Sequence, residues 1–328
     1  MFVNLIMDSE ELIIGLTGDV MIGRGVDAMI SKQDCLFVWG NVLPLFSATD
    51  LNLINLETTL TTSDRKVFKK FTFRASPDKI KSLIAANITV ANLANNHIMD
   101  FSTVGLIQTI QTLNAAGIKH VGAGINIEEA TKPEFIFKKN ITTGILGFTD
   151  NEPGWKAGTS TIGINYINIS ENTDRYSALH SITQLRKKAD IIIISIHWGP
   201  NMQPEPSKEF IAFAHEMIEA GADIIHGHSA HNFQGIEIYN HKLILYDTGD
   251  FVDDYIVNPE LKNDHSFFFR VETGKHGVSK LILTPVLISN CCVNLAAKDD
   301  YEWSIQRIQY LSAKFGTTVN DKGEVMLG

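Results

Sequence analysis

Short apolar runs that alternate with longer amphipathic segments are the feature that most constrains the fold of this chain. Seven runs rich in Ile, Val and Leu read as strands: residues 12–19, 51–57, 87–95, 141–150, 189–199, 222–229 and 242–250. The segments between them fit helical periodicity, among them 77–86, 103–117 and 207–221. The last two end at glycines, Gly117 and Gly221, which are typical helix stops. Apolar strands flanked by amphipathic helices predict an α/β fold with buried sheets.

The organisation of the chain favours one large domain over residues 1–328. No Pro- or Ser-rich linker, internal repeat or low-complexity tract divides the sequence. Residues 151–180 are rich in turn formers and read as an insertion, which is a candidate lid. The tail after about residue 285 lacks the alternation, and we expect the segment 285–328 to cover the domain.

Composition excludes several classes of protein. The chain has 28 Lys and Arg against 37 Asp and Glu, a formal net charge of −9, so we expect no nucleic-acid partner, although a local pocket for an anionic substrate stays open. Its cysteines, Cys35, Cys291 and Cys292, form neither a disulfide framework nor a structural zinc motif. The N-terminus MFVNLIMDSEELIIG is a poor signal peptide, and no apolar run approaches the roughly 20 residues that span a bilayer. We expect a soluble, cytoplasmic protein; the oligomeric state stays open.

Side chains with metal-ligand chemistry follow the apolar runs where the strands end. Five strand ends carry them: Asp19; Glu57; Asn95, Asn96 and His97; His197; and His226, His228 and His231. In α/β sheets, ligands bind at the carboxyl ends of the strands, where loops present side chains over a rigid floor. The five strand ends therefore predict a shared site.

Each of these residues, taken alone, has a plainer interpretation. Asp19 fits a helix N-cap or a turn, Glu57 fits a solvated strand end, and Asn95–Asn96 fit a left-handed turn. His197 is harder to explain in this way, because it follows a run of isoleucines and an unpaired buried polar group is costly. The combined pattern favours a metal site over the separate explanations.

The donor types indicate which ions such a site would bind. Carboxylates, an amide oxygen and imidazoles together suit borderline divalent ions, and we expect one or two ions of Mn, Fe or Zn. A carboxylate such as Glu57 can bridge two ions, and a pair of ions can clamp both oxygens of a phosphoryl displacement. A histidine that is not a ligand can protonate the leaving group.

Six segments, in this order, carry a resemblance to a known family: GDVMIGR, NLETTL, FTFRASP, NLANNHIMD, IHWG and GHSAHNFQ. The chain resembles the bacterial CapA family of poly-γ-glutamate (capsule) synthesis proteins, which is part of the calcineurin-like metallophosphoesterase superfamily. The resemblance runs from about residue 13 to about residue 255. It implies a four-layer α/β/β/α sandwich in which two sheets face each other and helices flank them.

The resemblance also implies roles for individual residues. It implies six metal ligands: Asp19 and His231 for a first ion, Asn96, His197 and His228 for a second, and Glu57 as a bridge. His97 corresponds to the catalytic imidazole, which acts as a general acid, and Asp100 to the residue that orients it. We expect Asn95 to serve the turn.

Two departures from the superfamily pattern affect the metal ligands. The superfamily usually has a histidine two residues after the first aspartate, where this chain has Met21, a poor partner for an oxygen-rich site. We therefore expect the first ion to be weakly held, absent or completed by water. The terminal histidines, His228 and His231, are separated by two residues, as in CapA-like proteins. His226 is an additional imidazole, for which we favour packing over ligation.

Cationic residues near these motifs are candidates for holding an anionic substrate. Arg24 follows the first motif and Arg74 lies in the loop after Glu57. Arginine suits bidentate recognition of phosphate or carboxylate, although both residues also fit surface ion pairs. For Lys69 and Lys70 we favour the ion-pair interpretation.

Three functions remain open at this stage. The leading hypothesis is a metal-dependent hydrolase that attacks a phosphoester or related bond with a metal-activated water. The second is a non-catalytic subunit or binding module for poly-γ-glutamate synthesis. The third is an amidohydrolase or peptidase for γ-glutamyl bonds, because substrate choice depends on pocket shape rather than on fold.

Overall fold

Two large sheets form the centre of the protein. The computed structural model of the chain describes residues 11–327, so the expectations for residues 1–10 lie outside the described part. Its strands are β1 (Leu12–Val20), β2 (Leu51–Leu56), β3 (Thr59–Leu60), β4 (Arg74–Ala75), β5 (Val90–Asn92), β6 (Lys119–Val121), β7 (Ala123–Gly124), β8 (Glu134–Lys138), β9 (Ile141–Thr149), β10 (Gly163–Ile164), β11 (Ile191–His197), β12 (Ile224–His228), β13 (Ile236–Tyr239), β14 (Lys242–Leu245), β15 (Asp250–Val252), β16 (His265–Gly274), β17 (Gly277–Ser289), β18 (Cys292–Leu295) and β19 (Glu324–Val325).

Helices of four to fifteen residues connect and flank the strands. They are α1 (Arg24–Lys32), α2 (Leu43–Ser47), α3 (Ile80–Ala85), α4 (Ser102–Ala115), α5 (Ile127–Ala130), α6 (Asn172–Arg186), α7 (Lys208–Glu219) and α8 (Asp299–Ala313). Helices α4 and α7 are followed at the second position by Gly117 and Gly221, both at positive φ, as their sequence positions predicted. Among residues 11–327, no helix combines the length and the apolar character needed to cross a membrane.

Each sheet is built around parallel strands. The first sheet has the order β18-β17-β16-β1-β2-β5-β6, in which β15 also pairs with β1 and β19 with β17. Strands β1, β2, β5 and β6 are parallel, and β16 joins β1 in the antiparallel direction. The second sheet has the order β13-β14-β12-β11-β9-β8, with β9, β11, β12 and β14 parallel.

Three apolar clusters separate four layers. One cluster joins the first sheet to helices α1 to α4, and another joins the second sheet to α6 and α7. The third lies between the two sheets, where Leu16 and Leu53 of the first sheet share a cluster with Ile193 of the second. The arrangement confirms the α/β fold and the α/β/β/α sandwich implied by the resemblance.

The structure differs from the sequence expectations in its last third. Of the expected covering segment 285–328, the described residues 285–327 do more than cover the domain, because β17, β18 and β19 are strands of the first sheet and α8 packs at the apolar layer between the sheets. Residues 172–180, expected to be part of a turn-rich insertion, lie in α6. The helical pattern there was weak because the helix buries few apolar residues.

The run expected over residues 242–250 is two strands in different sheets. Strand β14 belongs to the second sheet, whereas β15 pairs with β1 in the first. The chain therefore passes from one sheet to the other between Leu245 and Asp250. This crossing lies at the carboxyl ends of both sets of parallel strands.

Candidate metal centre

Loops and strand ends from both sheets bring most of the predicted ligands together. Asp19 lies in β1 and Glu57 directly follows β2, whereas His197 and His228 are the last residues of β11 and β12. Strands β11 and β12 pair with His197 opposite His228, and the two Nδ1 atoms are 3.0 Å apart. Because the sheets face each other, imidazoles of one sheet meet carboxylates of the other.

Asp19, His197 and His228 form a group that we call the histidine-rich cluster. Oδ1 of Asp19 lies 3.7 Å from Nδ1 of His197 and 3.7 Å from Nδ1 of His228. All three side chains are fully buried. One ligand atom from each lies within 4.8 Å of the others, a spacing compatible with a single ion held by all three.

Asp19, Glu57, His231 and Asp250 form a second group, the carboxylate-rich cluster. Nδ1 of His231 lies 3.6 Å from Asp19 Oδ2 and 2.9 Å from Asp250 Oδ1. Asp19 belongs to both clusters, and Glu57 Oε1 lies 3.9 Å from Nε2 of His197. Both carboxylates are therefore positioned between the two clusters.

Sequence reasoning missed Asp250, although the chain contains a signal for it. Thr17-Gly18-Asp19 ends the first apolar run, and Thr248-Gly249-Asp250 ends the last. In the structure, β1 and β15 are parallel neighbours, and Asp19 is paired with Asp250. The repeated tripeptide at two strand ends is the pattern that identifies Asp250.

Several buried ligand-type atoms in this region have no hydrogen-bond partner. They include Asp19 Oδ2, Glu57 Oε1, Asn96 Oδ1, His197 Nε2 and Asp250 Oδ2. Leaving a buried polar atom unpaired costs roughly 1–3 kcal/mol, and more for a charged group. A divalent cation would offset this cost, since carboxylate oxygens, an amide oxygen and imidazole nitrogens are its ordinary protein ligands. The residues present therefore fit a metal centre.

Burial determines the protonation of the clustered groups. Burial and neighbouring carboxylates raise the pKa of Glu57 and of Asp250 well above the usual range. Burial lowers the pKa of the His197 and His228 imidazoles, which are neutral as metal ligation requires. For Asp19, burial acts to raise the pKa, but nearby imidazoles, His197 foremost, outweigh it and hold the pKa below its usual range.

In the loop after β5, one asparagine side chain stabilises the turn and the next has an unpaired oxygen. Oδ1 of Asn95 accepts a hydrogen bond from the His97 N–H at 3.0 Å, and its Nδ2 donates to the Leu56 carbonyl at 2.9 Å. Asn95 thus stabilises the turn. Asn96 keeps its buried Oδ1 unpaired, as an amide oxygen offered to a cation would be.

His97 lies against the carboxylate-rich cluster and is held by Asp100. Nδ1 of His97 is 2.6 Å from Asp100 Oδ2, and Nε2 lies 3.8 Å from Glu57 Oε1. The imidazole stacks on Phe73 with 3.7 Å between ring centroids. Burial raises the pKa of Asp100 to about 7 and lowers the pKa of His97 well below its usual range. The pair therefore keeps one proton up to about neutral pH.

Buried polar side chains outside the predicted set support the ligands. Asn55 Nδ2 donates to Asp19 Oδ1 at 2.7 Å, and Asn92 Nδ2 donates to Asn55 Oδ1 at 2.9 Å. The Tyr255 hydroxyl donates to Glu57 Oε2 at 3.1 Å. Asn55 could have been found as an amide inside the apolar run 51–57, whereas no local pattern relates Tyr255 to Glu57.

His226 is joined to the histidine-rich cluster through a serine. Its Nε2 donates to the Thr17 carbonyl at 2.7 Å, and its Nδ1 lies 3.2 Å from Ser195 Oγ. The same Oγ lies 3.0 Å from Nε2 of His228. His226 therefore has hydrogen-bond partners on both ring nitrogens and supports the ring that faces Asp19.

The two candidate substrate-binding arginines occupy different places. The Arg24 guanidinium lies 5.4 Å from the centroid of the Phe73 ring, which stacks on His97, and forms a 3.0 Å ion pair with Asp254. Arg74 binds Asp64 at 2.6 Å and the Ser63 carbonyl at 2.8 Å. The structure therefore brings Arg24 next to the site, whereas the described polar contacts of Arg74 fasten its own loop.

Lys69 connects the start of the predicted lid to the His97 loop. Its Nζ donates to the Asn96 carbonyl and lies 3.4 Å from Asp100 Oδ1 and 3.1 Å from Glu152 Oε1. The ion-pair interpretation of Lys69 agrees with these contacts. The contacts of Lys69 place Glu152, near the beginning of segment 151–180, close to the hydrogen-bonded pair of His97 and Asp100.

Comparisons with known proteins cover most of the chain. A family model described as "Bacterial capsule synthesis protein PGA_cap" matches residues 13–255. The chain is 30% identical to a probable polyglutamine synthesis accessory protein of Mycobacterium tuberculosis, over 95% of this chain and 94% of that protein. It is 31% identical to the capsule biosynthesis protein CapA of Bacillus anthracis, over 75% of this chain and 61% of that protein. It is 30% identical to the PGA biosynthesis protein CapA of Bacillus subtilis, over 88% and 75%.

A solved structure shares the fold at low sequence identity. A hypothetical protein from Thermus thermophilus aligns with a TM-score of 0.50 and 13% identity, over 87% of this chain and 100% of that protein. This similarity concerns the architecture alone, because identity at that level does not transfer a function.

Proposed function

The chain belongs to the bacterial capsule synthesis protein family PGA_cap, within the calcineurin-like superfamily, and from this membership we propose that it is a metal-dependent hydrolase of an anionic substrate. The bond that we propose it hydrolyses is a phosphoester or a related bond. The proposal includes one or two ions of Mn, Fe or Zn, held by Asp19, Glu57, Asn96, His197, His228 and His231.

One observation carries this proposal. Unpaired ligand atoms from both sheets are buried in one region, and Nε2 of His97 lies 3.8 Å from one of them, Glu57 Oε1. A purely structural polar core would be expected to pair these atoms, because an unpaired buried group weakens the fold. Their arrangement is the one expected for a reaction centre that binds cations and moves a proton.

The ions, when bound, would lower the pKa of a water molecule and polarise the bond to be cleaved. The chain itself supplies positioning and proton transfer. Asn55 holds Asp19 Oδ1 and Tyr255 holds Glu57 Oε2, so each carboxylate has one oxygen anchored and another available.

His97 and Asp100 form a proton relay in this proposal. With Asp100 protonated below about pH 7 and His97 neutral, the Asp100 hydroxyl donates to Nδ1 and the ring proton resides on Nε2. Nε2 gives its proton to the leaving group while Nδ1 takes the proton of Asp100. The Phe73 ring fixes the imidazole plane for this transfer.

The proposed substrate carries negative charge next to the reacting bond. Arg24 and Lys69 bring positive charge near the His97 ring: Arg24 lies by Phe73, which stacks on the ring, and Lys69 lies by Asp100, which contacts its Nδ1. We propose Arg24 as the residue that a phosphate or carboxylate approaches, since its side chain is partly exposed. Arg74 is the weaker candidate for this role.

A second candidate function is action on poly-γ-glutamate itself. The names of the relatives from Mycobacterium and Bacillus refer to polyglutamine, capsule or PGA synthesis, and this favours a γ-glutamyl polymer as the anion. The same centre would then cleave a γ-glutamyl amide, or bind the polymer without cleaving it. Arg24 would recognise a carboxylate instead of a phosphate.

The test is a hydrolysis screen of Mn-, Fe- and Zn-loaded protein with His97→Ala and a surface control. The panel contains nitrophenyl phosphate mono- and diesters, a γ-glutamyl anilide and poly-γ-glutamate. We expect one class to be hydrolysed and His97→Ala to lose roughly 10²–10⁴-fold in rate, the usual contribution of a general acid. The control, His180→Ala, changes an exposed residue of α6 and should match the wild type.

Two results would reject the hydrolase. One is the absence of hydrolysis of every substrate by protein with a full metal content. The other is an unchanged rate in His97→Ala. Binding of poly-γ-glutamate without turnover would instead identify the chain as a binding module of polymer synthesis.

A further inference from the structure

Met21 stands where the superfamily pattern has a metal-binding histidine, and its sulfur is engaged elsewhere. Its Sδ accepts a hydrogen bond from the Gly23 N–H at 3.2 Å. The side chain is fully buried in the apolar cluster between the first sheet and its helices. Position 21 therefore supplies no ligand to the carboxylate-rich cluster, which leaves a coordination position for water or for a replacement residue.

We propose that Asp250 is that replacement: a direct metal ligand that makes the carboxylate-rich cluster selective for a harder ion than the histidine-rich cluster. The proposal rests on the metal centre of the proposed function but not on the reaction, because it concerns which ions the chain binds. It concerns Asp250 Oδ2, a fully buried atom without a hydrogen-bond partner.

The backbone brings Asp250 to Asp19 by a close contact of two strands. The Asp19 N–H donates to the Gly249 carbonyl at 2.8 Å, and β1 and β15 pair Asp19 with Asp250. A Cβ at Gly18 would lie 1.9 Å from the Gly249 oxygen, so only glycine permits this approach. Gly249 has φ +71, which also favours glycine. The glycine that precedes each aspartate in the repeated Thr-Gly-Asp tripeptide thus allows Asp19 and Asp250 to lie side by side.

The contact between Asp250 and His231 runs through the nitrogen that faces the cluster. His231 Nδ1 lies 2.9 Å from Asp250 Oδ1 and 3.6 Å from Asp19 Oδ2. A carboxylate that only orients a metal-bound histidine contacts the other ring nitrogen, on the side away from the ion. Because one nitrogen faces both carboxylates, His231 and Asp250 converge on the same position.

The two clusters differ in donor chemistry once Asp250 is counted. The carboxylate-rich cluster offers three carboxylates and one imidazole, whereas the histidine-rich cluster offers one carboxylate and two imidazoles. Carboxylate oxygens suit Mn²⁺ and Mg²⁺, and imidazoles suit Zn²⁺ and Fe²⁺. We therefore expect a mixed centre, with Mn²⁺ in the carboxylate-rich cluster and Zn²⁺ or Fe²⁺ in the other.

The experiment compares Asp250→Asn with Asp253→Asn in the full chain. Asn at position 250 keeps an Oδ1 acceptor for His231 and removes the charge, so a purely orienting role would survive the change. Asp253 is also buried, three residues away, and its Oδ1 accepts from the Tyr255 N–H, but it belongs to neither cluster. Asp253→Asn therefore controls for the loss of one nearby negative charge.

Metal-free protein is loaded with one equivalent each of Mn²⁺ and Zn²⁺ per chain, because excess Zn²⁺ would compete for both clusters. The content of both ions is measured by elemental mass spectrometry and their affinities by calorimetric titration. We expect about one ion of each per wild-type chain, and a Mn²⁺ affinity in Asp250→Asn that falls by more than the roughly 10–100-fold that loss of a supporting residue costs. The Zn²⁺ affinity of Asp250→Asn should equal that of the wild type. Asp253→Asn should bind both ions as tightly as the wild type does.

A second readout needs no variant. Pulsed electron paramagnetic resonance of wild-type protein with one Mn²⁺ should detect coupling to a single imidazole nitrogen, from His231. Coupling to two imidazoles, or an Asp250→Asn variant that binds Mn²⁺ within about threefold of the wild type, would overturn the proposal. An equal loss in Asp253→Asn, or no ion bound by the wild type, would do so too. A protein that binds both ions but hydrolyses nothing would reject the proposed function and leave this inference intact.

Discussion

The two ends of the parallel strands use their carboxylates in opposite ways. At the amino ends, an aspartate directly precedes β2, β11 and β12, namely Asp50, Asp190 and Asp223. Each accepts a 2.8 Å hydrogen bond from a backbone N–H of the neighbouring strand, donated by Ile13, Thr142 and Ile192 respectively. At the carboxyl ends, Asp19, Glu57 and Asp250 each keep one buried oxygen unpaired.

The carboxylates at the amino ends stabilise the fold, whereas those at the carboxyl ends are candidates for function. Asp223 is buried and has its oxygens occupied by Arg186 at 2.6 Å, Lys242 at 2.5 Å and the Ile192 N–H. Such a group contributes to the fold because its charge is fully partnered. The unpaired oxygens of the carboxyl-end groups lower the stability of the metal-free chain, and in the proposed function a cation would partner them. Residue type alone would not distinguish the two ends, and burial would not separate Asp223 from the carboxyl-end groups.

The largest expected effect is the loss of metal from Asp19→Asn. Asp19 belongs to both clusters, so its change should reduce the content of both ions to no more than about a tenth of the wild type, since a ligand set that loses its shared charge binds poorly. Elemental mass spectrometry measures this content. Asp190→Asn is the control at the opposite strand ends and should retain all metal. If Asp19→Asn kept its full metal content, the carboxylates at the carboxyl ends of the strands would not differ in metal binding from those at the amino ends.

The second prediction concerns stability at the amino ends. Asp223→Ala leaves Arg186, Lys242 and the Ile192 N–H without their carboxylate, and we expect a loss of about 2–3 kcal/mol in the free energy of unfolding. The loss stays below the usual cost of breaking a fully buried pair, because both cations are partly exposed and return to water. Urea unfolding measures it, and metal content should not change. A loss below about 0.5 kcal/mol would show that Asp223 is no more structural than a surface residue.

The sequence predicted the parallel strands and the polar residues at their carboxyl ends, because both can be recognised from local patterns. The parallel strands β1, β2, β9, β11 and β12 are apolar runs that end in polar residues, and both features can be read within about ten residues. The site residues at those ends, from Asp19 to His231, followed from the same patterns and from the family resemblance. Their convergence follows from the rule that parallel strands present their carboxyl ends on one edge.

What the sequence did not predict depends on pairing between distant segments. Strand β16 joins β1 with Leu12 opposite Thr273, and no local pattern indicates which sheet a strand will join. The tripeptide Thr248-Gly249-Asp250 marks Asp250 locally, but its position beside Asp19 depends on β15 joining the first sheet while β14 joins the second. The roles of Asn55 and Tyr255 also depend on partners that only the folded chain brings near.

The third prediction tests whether a neighbouring hydroxyl positions a carboxyl-end ligand. Tyr255→Phe removes the hydrogen bond to Glu57 Oε2 and keeps the ring, and we expect metal affinity to fall roughly tenfold. Calorimetric titration with Mn²⁺ measures the change. Tyr246→Phe is the matched control, because it removes a hydroxyl that donates to Glu237 outside both clusters. Equal affinities in the two variants would mean that Glu57 needs no support from Tyr255.

The smallest expected effect is a gain in stability from Glu57→Gln in metal-free protein. Burial and the charge of Asp19 raise the pKa of Glu57 well above its usual range, so the folded state disfavours its ionised form. The resulting loss of stability is absent below the pKa that Glu57 has in the unfolded chain. It grows as the pH rises toward the pKa of Glu57 in the folded state. Glutamine keeps an oxygen for the Tyr255 hydroxyl and cannot ionise. We expect a gain of about 1 kcal/mol at pH 7.

The gain should largely disappear near pH 4, where Glu57 is mostly protonated in both states and the two proteins carry nearly the same charge at this position. Urea unfolding in the presence of a chelator, at pH 4 and pH 7, measures both values, and Asp223→Asn provides the opposite-end control. That variant should lose stability at pH 7, because a neutral amide replaces the carboxyl group that contacts Arg186 and Lys242. If Glu57→Gln instead destabilised the metal-free chain at pH 7, the carboxyl-end groups would have partners of their own in the fold. The contrast between the two strand ends would then concern metal binding alone and not stability.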